Sequence, residues 1–302
     1  MIIIGAGMAG LIAANYFRKQ NPVIIEKQSH LPDNHAALLR FRSDKVFKVA
    51  GLQSRIVTVR KCIVFGADFM SGPNPYLANM YSAKVTGKVE DRSIWNMETE
   101  KRHIAPDGFL NSLANGCNIS FNTESGNGSY ARNTMENKIT VSTIPMPLLM
   151  NQLGWPDIPT FQFVPIWTVS ADIPGVNINQ TIYFPDKDVP YYRASFVGSR
   201  FIVEFIRDPV DEIETLANEV IDYFGMPSTT EKLTYKKQGL GKMLPIDDEI
   251  RKDFMHWATE KYNIYSLGRF ATWRPILLDD VVDDLAVIER MMKSKYSNSL
   301  LR

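Results

Sequence analysis

The chain opens on an unbroken apolar run, Met1-Ile2-Ile3-Ile4, then Gly5-Ala6-Gly7-Met8-Ala9-Gly10, and resumes as Leu11-Ile12-Ala13-Ala14-Asn15-Tyr16-Phe17. A short β-branched run stopped by glycine predicts a buried strand, and the residues after Gly7 predict a helix. A second apolar run, Pro22-Val23-Ile24-Ile25, predicts another strand ending at Glu26. A polar loop from Ser29 to His35 follows, then a helix around 44–50 that Gly51 ends. Residues 65–100, rich in Gly, Pro, Asn and Tyr, predict a long and mostly irregular insertion of the lid or binding-loop kind. Within it Tyr81 and Trp95 are candidate pocket walls, with core packing the preferred reading for Trp95. A helix beginning over 104–110, with Pro106 near its first turn, precedes strands over 118–122 and 138–143 and a helix over 148–153.

From Pro156 the pattern changes to aromatic and β-branched runs over 161–170, 180–184, 191–196 and 200–205, broken by Pro, Gly, Asn and Asp. These predict antiparallel strands, followed by a helix over 209–224. A buried-type strand over 262–267 and a helix over 276–292 then return to the first texture. The expected architecture is α/β. A Rossmann-like domain made of 1–155 and 262–302 carries the 65–100 insertion, and a substrate domain over 156–261 is an antiparallel sheet with helices.

The first thirty residues carry the sharpest chemistry. Gly5, Gly7 and Gly10 stand at G-x-G-x-x-G spacing between strand and helix, with Glu26 at the end of the next strand. Gly5 permits the tight turn, Gly7 lets the backbone approach a pyrophosphate, and Gly10 lets helix and strand pack closely. The amides of Ala6, Met8 and Ala9 lie at the positive end of the helix. Glu26 is placed to accept from ribose hydroxyls, and Lys27 follows it. The bland alternative is a glycine-rich turn in an ordinary α/β protein.

Composition narrows the rest. The chain has 302 residues, 45% hydrophobic and 22% charged, with 34 Lys plus Arg against 33 Asp plus Glu. That balance offers no general grip on nucleic acid or membrane. One segment departs from it: Arg40, Arg42, Lys45, Lys48, Arg55, Arg60 and Lys61 face only Asp44, seven cations against one acid over 40–61. It is either a solvated basic face or a surface for the phosphates of a cofactor or nucleotide substrate. No run is long enough for a membrane helix, and the N-terminal run lacks the basic leader of a signal peptide. Cys62 and Cys117 fit no metal or redox spacing, which favours reduced thiols and a cytoplasmic setting. His30, His35, His103 and His256 show no metal-ligand pairing, so no metal is expected. There is no G-x-S-x-G elbow or Walker loop. The oligomeric state is not encoded in any pattern found.

Three stretches carry a family resemblance: Ile2 to Gly10 with Glu26; Val141-Ser142-Thr143-Ile144-Pro145; and Leu267-Gly268-Arg269-Phe270-Ala271 with Asp279-Asp280-Val281-Val282. Together they resemble the FAD-binding parts of the superfamily of amine oxidases, protoporphyrinogen oxidases and UDP-galactopyranose mutases. The resemblance implies FAD held by a domain built from both termini, with Gly268 and Arg269 beside the phosphates or flavin. It also implies that Thr143, Leu278 and Asp279 belong to the cofactor site. Mutases of this type carry an acid two residues before Asp279, where this chain has Leu277.

A second resemblance rests on Asn34 to Ser43, Tyr81 to Gly87 and Asp91 to Asn96. These stretches resemble small phage-encoded flavoproteins of thymine hypermodification. That likeness implies removal of the glycyl part of a glycyl-aminomethyl base, in host cytoplasm, from a free or DNA-borne substrate. With one glycine fingerprint there is no separate NAD(P)H domain, so the flavin is reduced by substrate or by an outside reductant. Arg42, Arg274 and Arg40 are the candidate cations for the substrate, Arg42 also standing among the flavin contacts; for Arg42 and Arg274 a structural ion pair is the alternative. His35 and Lys61 are the candidate proton carriers. A reduced-FAD, non-oxidative sugar-nucleotide mutase and a binding protein without chemistry are the other readings.

Overall fold

The computed structural model describes residues 1–31, 39–90, 92–124 and 138–300. Among these, two sheets organise the chain. The first is parallel, in the order β14 (Ile264–Ser266), β8 (Thr140–Ser142), β1 (Ile2–Ile4), β2 (Val23–Ile25), β7 (Asn118–Ser120). Its central strand β1 is apolar on both faces because helices cover both. Ile3 points into a core with α1 (Met8–Tyr16), α2 (Lys45–Ala50), α4 (Phe109–Ala114) and α8 (Leu278–Leu300). Ile2 and Ile4 point the other way, toward α5 (Met146–Leu153) and α7 (Asp248–Tyr262). The isoleucine run thus divides by strand alternation into two cores.

The second sheet is mixed. Its strands run in the order β13 (Thr234–Met243), β9 (Phe163–Asp172), β12 (Arg200–Phe205), β11 (Tyr191–Gly198), β10 (Ile178–Tyr183), β4 (Arg55–Phe65), β6 (Glu100–Ile104), β3 (Arg40–Phe41). The short β5 (Asp68–Met70) pairs with β4. One face packs on α6 (Ile213–Asp222) through Val169, Phe201, Val203 and Phe205. The other packs on α3 (Pro75–Thr86) through Ile63, Ile166, Tyr183 and Tyr192.

Several expectations are corrected here. The second sheet is not confined to 156–261: β3, β4 and β6 come from 40–104, and β4 runs parallel to β10. Residues 65–100 are not mostly irregular. Asn74 accepts from Leu77 N at 3.1 Å, Pro75 occupies the first turn, and Gly87 at φ 75° ends a twelve-residue helix. Lys84 fastens that helix to the sheet by donating to the carbonyls of Phe184, Asp186 and Tyr191. Trp95 is 37% exposed, since its neighbours Ile94 and Met97 take the core position. Tyr81 is buried, edge-on to Tyr183 at 5.3 Å. Pro106 and Asp107 precede α4, because β6 runs to Ile104 and Gly108 caps the helix in the left-handed region.

Candidate functional site

The glycine turn is built as its spacing predicts. Gly5 N donates to Ile25 O at 2.9 Å, bringing the turn level with the end of β2. Gly5 has φ +95°, and a Cβ there would lie 2.5 Å from Thr143 Oγ1. That hydroxyl is fixed by its own bond to Ile4 O at 2.8 Å. At Gly10 a Cβ would meet Gly5 O at 1.9 Å. Both glycines are therefore required by the chain itself. Gly7 is different: it is the N-cap of α1 at φ −70°, and a Cβ there would meet nothing within 4 Å. No side chain caps α1, and no acid sits in its first turn. Met8 is buried, while Ala9 is only part-buried. Glu26 stands beside the turn, its carboxylate accepting from Ala6 N at 2.6 Å and Gln28 N at 2.8 Å. Lys27 points to solvent and pairs with Glu124 at 2.7 Å.

The far end of the chain returns to this turn. Leu267 N donates to Ser142 O at 2.9 Å, and Gly268, at φ +89°, passes so close to α1 that a Cβ would lie 2.8 Å from Ala9 Cβ. Thr272 Oγ1 and Trp273 Nε1 donate to Gly268 O and Leu244 O, at 2.8 and 2.9 Å, fixing the turn that presents Arg269. Leu278 begins α8. Asp279, 4% exposed, accepts from Arg42 N, Ser43 N and Ser43 Oγ at 3.1, 2.9 and 2.7 Å. It ties β3 to the last helix.

The basic run of 40–61 is partly neutralised, mostly by acids from elsewhere in the chain. Arg42 pairs with Asp280, Lys45 with Asp283 at 2.6 Å, Lys48 with Asp44 at 2.9 Å, and Lys61 with Glu100 at 2.6 Å. Arg40 lies inward, donating to Thr181 Oγ1 at 2.5 Å and Phe196 O at 2.9 Å. Burial, then the nearby Arg193, pushes its pKa down to about 10. Arg274 pairs with Asp284. Of the three cations expected at the substrate, Arg42 and Arg274 form ion pairs and Arg40 bonds the sheet. Lys61 is buried, its ammonium held by Glu100 and Asn96 O. His35 lies outside the described residues.

A group that sequence reasoning missed gathers on the α3-facing side of the second sheet. Glu204 of β12, 8% exposed, accepts from Tyr192 Oη at 3.0 Å and pairs with Arg193. A bulge between Tyr191 and Arg193 lets both neighbours on β11 reach one carboxylate. A second irregularity, between Gln238 and Lys242 of β13, contains Gly241, where a Cβ would strike Ile166 N at 2.8 Å. Lys242 Nζ then lies 5.2 Å from the Tyr192 ring centre, and Arg269 Nη2 reaches Gly241 O at 3.4 Å. Burial opposes the charge on Glu204, yet Arg193, Lys242 and the two hydrogen bonds hold its pKa at about 2. Burial, then Arg193, pushes Lys242 down to about 7. Burial likewise lowers Arg269. Bulges that re-aim side chains are a signal of a site, but they are invisible before the ladder is known.

An open cavity of about 840 Å³ between the β11–β12 turn and residues 104–110 shares no lining residue with the glycine turn or this charged group. Among the described residues no cluster of three His, Cys, Asp or Glu could hold a metal ion, and no helix is long and apolar enough to cross a membrane.

No family model matches the chain, and no curated protein matches it either. Solved structures do. A fatty acid isomerase from P. acnes superposes with a TM-score of 0.63 at 11% identity, over 96% of this chain and 97% of that one. A protoporphyrinogen oxidase-like protein from Exiguobacterium does so at 0.60 and 10% identity, over 96% and 98%. A flavoprotein/dehydrogenase from Cytophaga hutchinsonii gives 0.53 and 15% identity, over 97% and 78%. At such identities the likeness establishes architecture. The chain has the Rossmann-type α/β fold on which these three proteins are built.

Proposed function

We propose that the protein is an FAD-dependent oxidoreductase acting at the C–N bond of an amine. The observation that carries the cofactor half is Gly7. Its backbone conformation suits any residue and its missing side chain leaves open space, so the chain's own packing gives no reason for glycine there. A ligand that approaches the backbone does, and a pyrophosphate at an uncapped helix N-terminus is such a ligand. The residues present therefore fit the group.

In this reading Gly7, Met8 and Ala9 present amides to the phosphates, while Ala6 N holds the carboxylate of Glu26, which faces the adenosine ribose. Thr143 and Gly268 close the rim. Leu278 and Asp279 shape the far end, Asp279 by holding Arg42 and Ser43 in place. Bound FAD supplies a two-electron acceptor. The chain contributes orientation and exclusion of water, with Tyr81, Tyr183 and Tyr192 forming an aromatic floor whose orientation Glu204 helps to fix. The glycyl-aminomethyl pyrimidine implied by resemblance is an amine of this class and the first substrate to try. Internal pairing of the 40–61 cations favours a small or single-nucleotide form of it over duplex DNA.

Anaerobic mixing of the FAD-loaded protein with candidate amines tests this reading. Bleaching of the oxidised flavin by an amine supports it, and turnover of a sugar nucleotide only after dithionite reduction would replace it with the mutase reading. The surplus of cations near Tyr192 is what keeps that second reading in play, because a diphosphate would also satisfy it.

A further inference from the structure

The interior beside Tyr192 holds more positive charge than the chain neutralises. Arg193 has Glu204, and Arg92 has Glu90 at 3.2 Å. Lys242 and Arg269 also face this region, and among the described residues neither forms an ion pair. Arg269 Nε is buried without a hydrogen-bond partner, and so is Arg92 Nε. A buried N–H left unpaired costs about 1–3 kcal/mol, more on a charged group, so such a surplus calls for an anion.

Three separate elements deliver these groups. Arg193 comes from the β11 bulge, Lys242 from beyond the Gly241 irregularity, and Arg269 from the turn that touches α1 at Gly268. The last contact connects the cluster to the glycine turn, and the Tyr192 ring and Ile166 supply apolar surroundings.

We propose that Arg269 and Lys242, backed by Arg193, bind a carboxylate carried by the substrate, which makes the substrate an amino-acid-like amine rather than a simple alkylamine. The unpaired Nε edge of Arg269 presents the donor geometry a carboxylate takes, and Lys242 adds a point charge beside it. One carboxylate matches a surplus lying between one and two charges, since Lys242 is part-protonated near neutrality. The term substrate rests on the oxidoreductase reading; the anion site itself does not.

Calorimetric titration of the purified protein, its FAD content recorded beforehand, provides the test, with glycine, ethylamine, acetate and inorganic phosphate as probes. Glycine should bind at least about tenfold more tightly than ethylamine, and acetate more tightly than phosphate. Arg269→Gln and Lys242→Gln should each weaken glycine and acetate about tenfold or more. Lys45→Gln, at an exposed ion pair between α2 and α8, should change neither. Equal binding of glycine and ethylamine overturns the proposal, as do phosphate binding tighter than acetate and variants that keep wild-type affinity. Should a variant fail to fold, the wild-type preference among the four probes still decides. Acetate binding without FAD would sink the cofactor reading and leave this site standing. FAD binding without carboxylate preference does the reverse.

Discussion

Gly7→Ala separates what the chain needs from what a cofactor needs. The added methyl sits on backbone at φ −70°, ψ 178°, with nothing within 4 Å. The cofactor-free protein should therefore keep its stability to within about 1 kcal/mol, or roughly 2–4 °C in Tm. With FAD the methyl occupies the space through which the pyrophosphate meets the amides. Losing two charge-assisted hydrogen bonds at about 1.5–3 kcal/mol each gives roughly 10²–10⁴-fold weaker binding. Gly10→Ala is the contrasting perturbation. Its Cβ would lie 1.9 Å from Gly5 O, so backbone must move, at about 1–3 kcal/mol or more before any ligand is added. Thermal melts of the cofactor-free proteins and FAD titration by flavin fluorescence measure both quantities. Wild-type FAD affinity in Gly7→Ala would refute the placement, and so would a loss of stability equal to that of Gly10→Ala.

Three further outcomes follow from the charged groups. Glu204, held at about 2 against an ordinary 4.5, contributes stability that is complete above pH 4.5 and lost as pH falls toward 2. The linkage is about 3 kcal/mol as an upper figure, and Glu204→Gln should flatten urea-denaturation stability across that window. Asp279→Ala removes the acceptor for three hydrogen bonds and should cost about 2–4 kcal/mol in the same assay, whereas a loss under 1 kcal/mol would show that β3 and α8 are held together by packing alone. Lys242, at about 7, faces Tyr192 and Arg193 of β11, Glu204 of β12, Arg269 of the final turn and Arg92. Acetate affinity should therefore fall as pH rises through 7 and the ammonium is lost, and a flat profile from pH 6 to 8 would exclude Lys242 from anion binding.

The parts of the fold visible in the sequence are those whose signals are local. The isoleucine run, the three glycines and Glu26 lie within 26 residues, and β11, β12 and α8 announce themselves by alternation or helical spacing. The second sheet's full membership was not visible, because β4 pairs with β10 across more than a hundred residues. Helix α3 had a start at Asn74-Pro75 and a stop at Gly87, but the turn-rich composition around it masked both. Strand β13 and helix α7 drew no expectation, although Asp247 caps α7 by accepting from Glu249 N and Ile250 N. The basic surplus over 40–61 misleads for a physical reason: its acids, Asp280 and Asp283, stand some 240 positions away on α8. Conversely, Arg193, Glu204 and Lys242 are unremarkable in sequence and join Arg269, which the closing motif singles out, only when two irregularities and the returning turn aim them at Tyr192.

The most direct test of the central claim is the visible spectrum and FAD stoichiometry of the purified wild-type protein, followed by anaerobic addition of an amine. The account predicts a yellow protein with about one FAD per chain that an amino-acid-like amine bleaches. A colourless protein that takes up no FAD on reconstitution would contradict it.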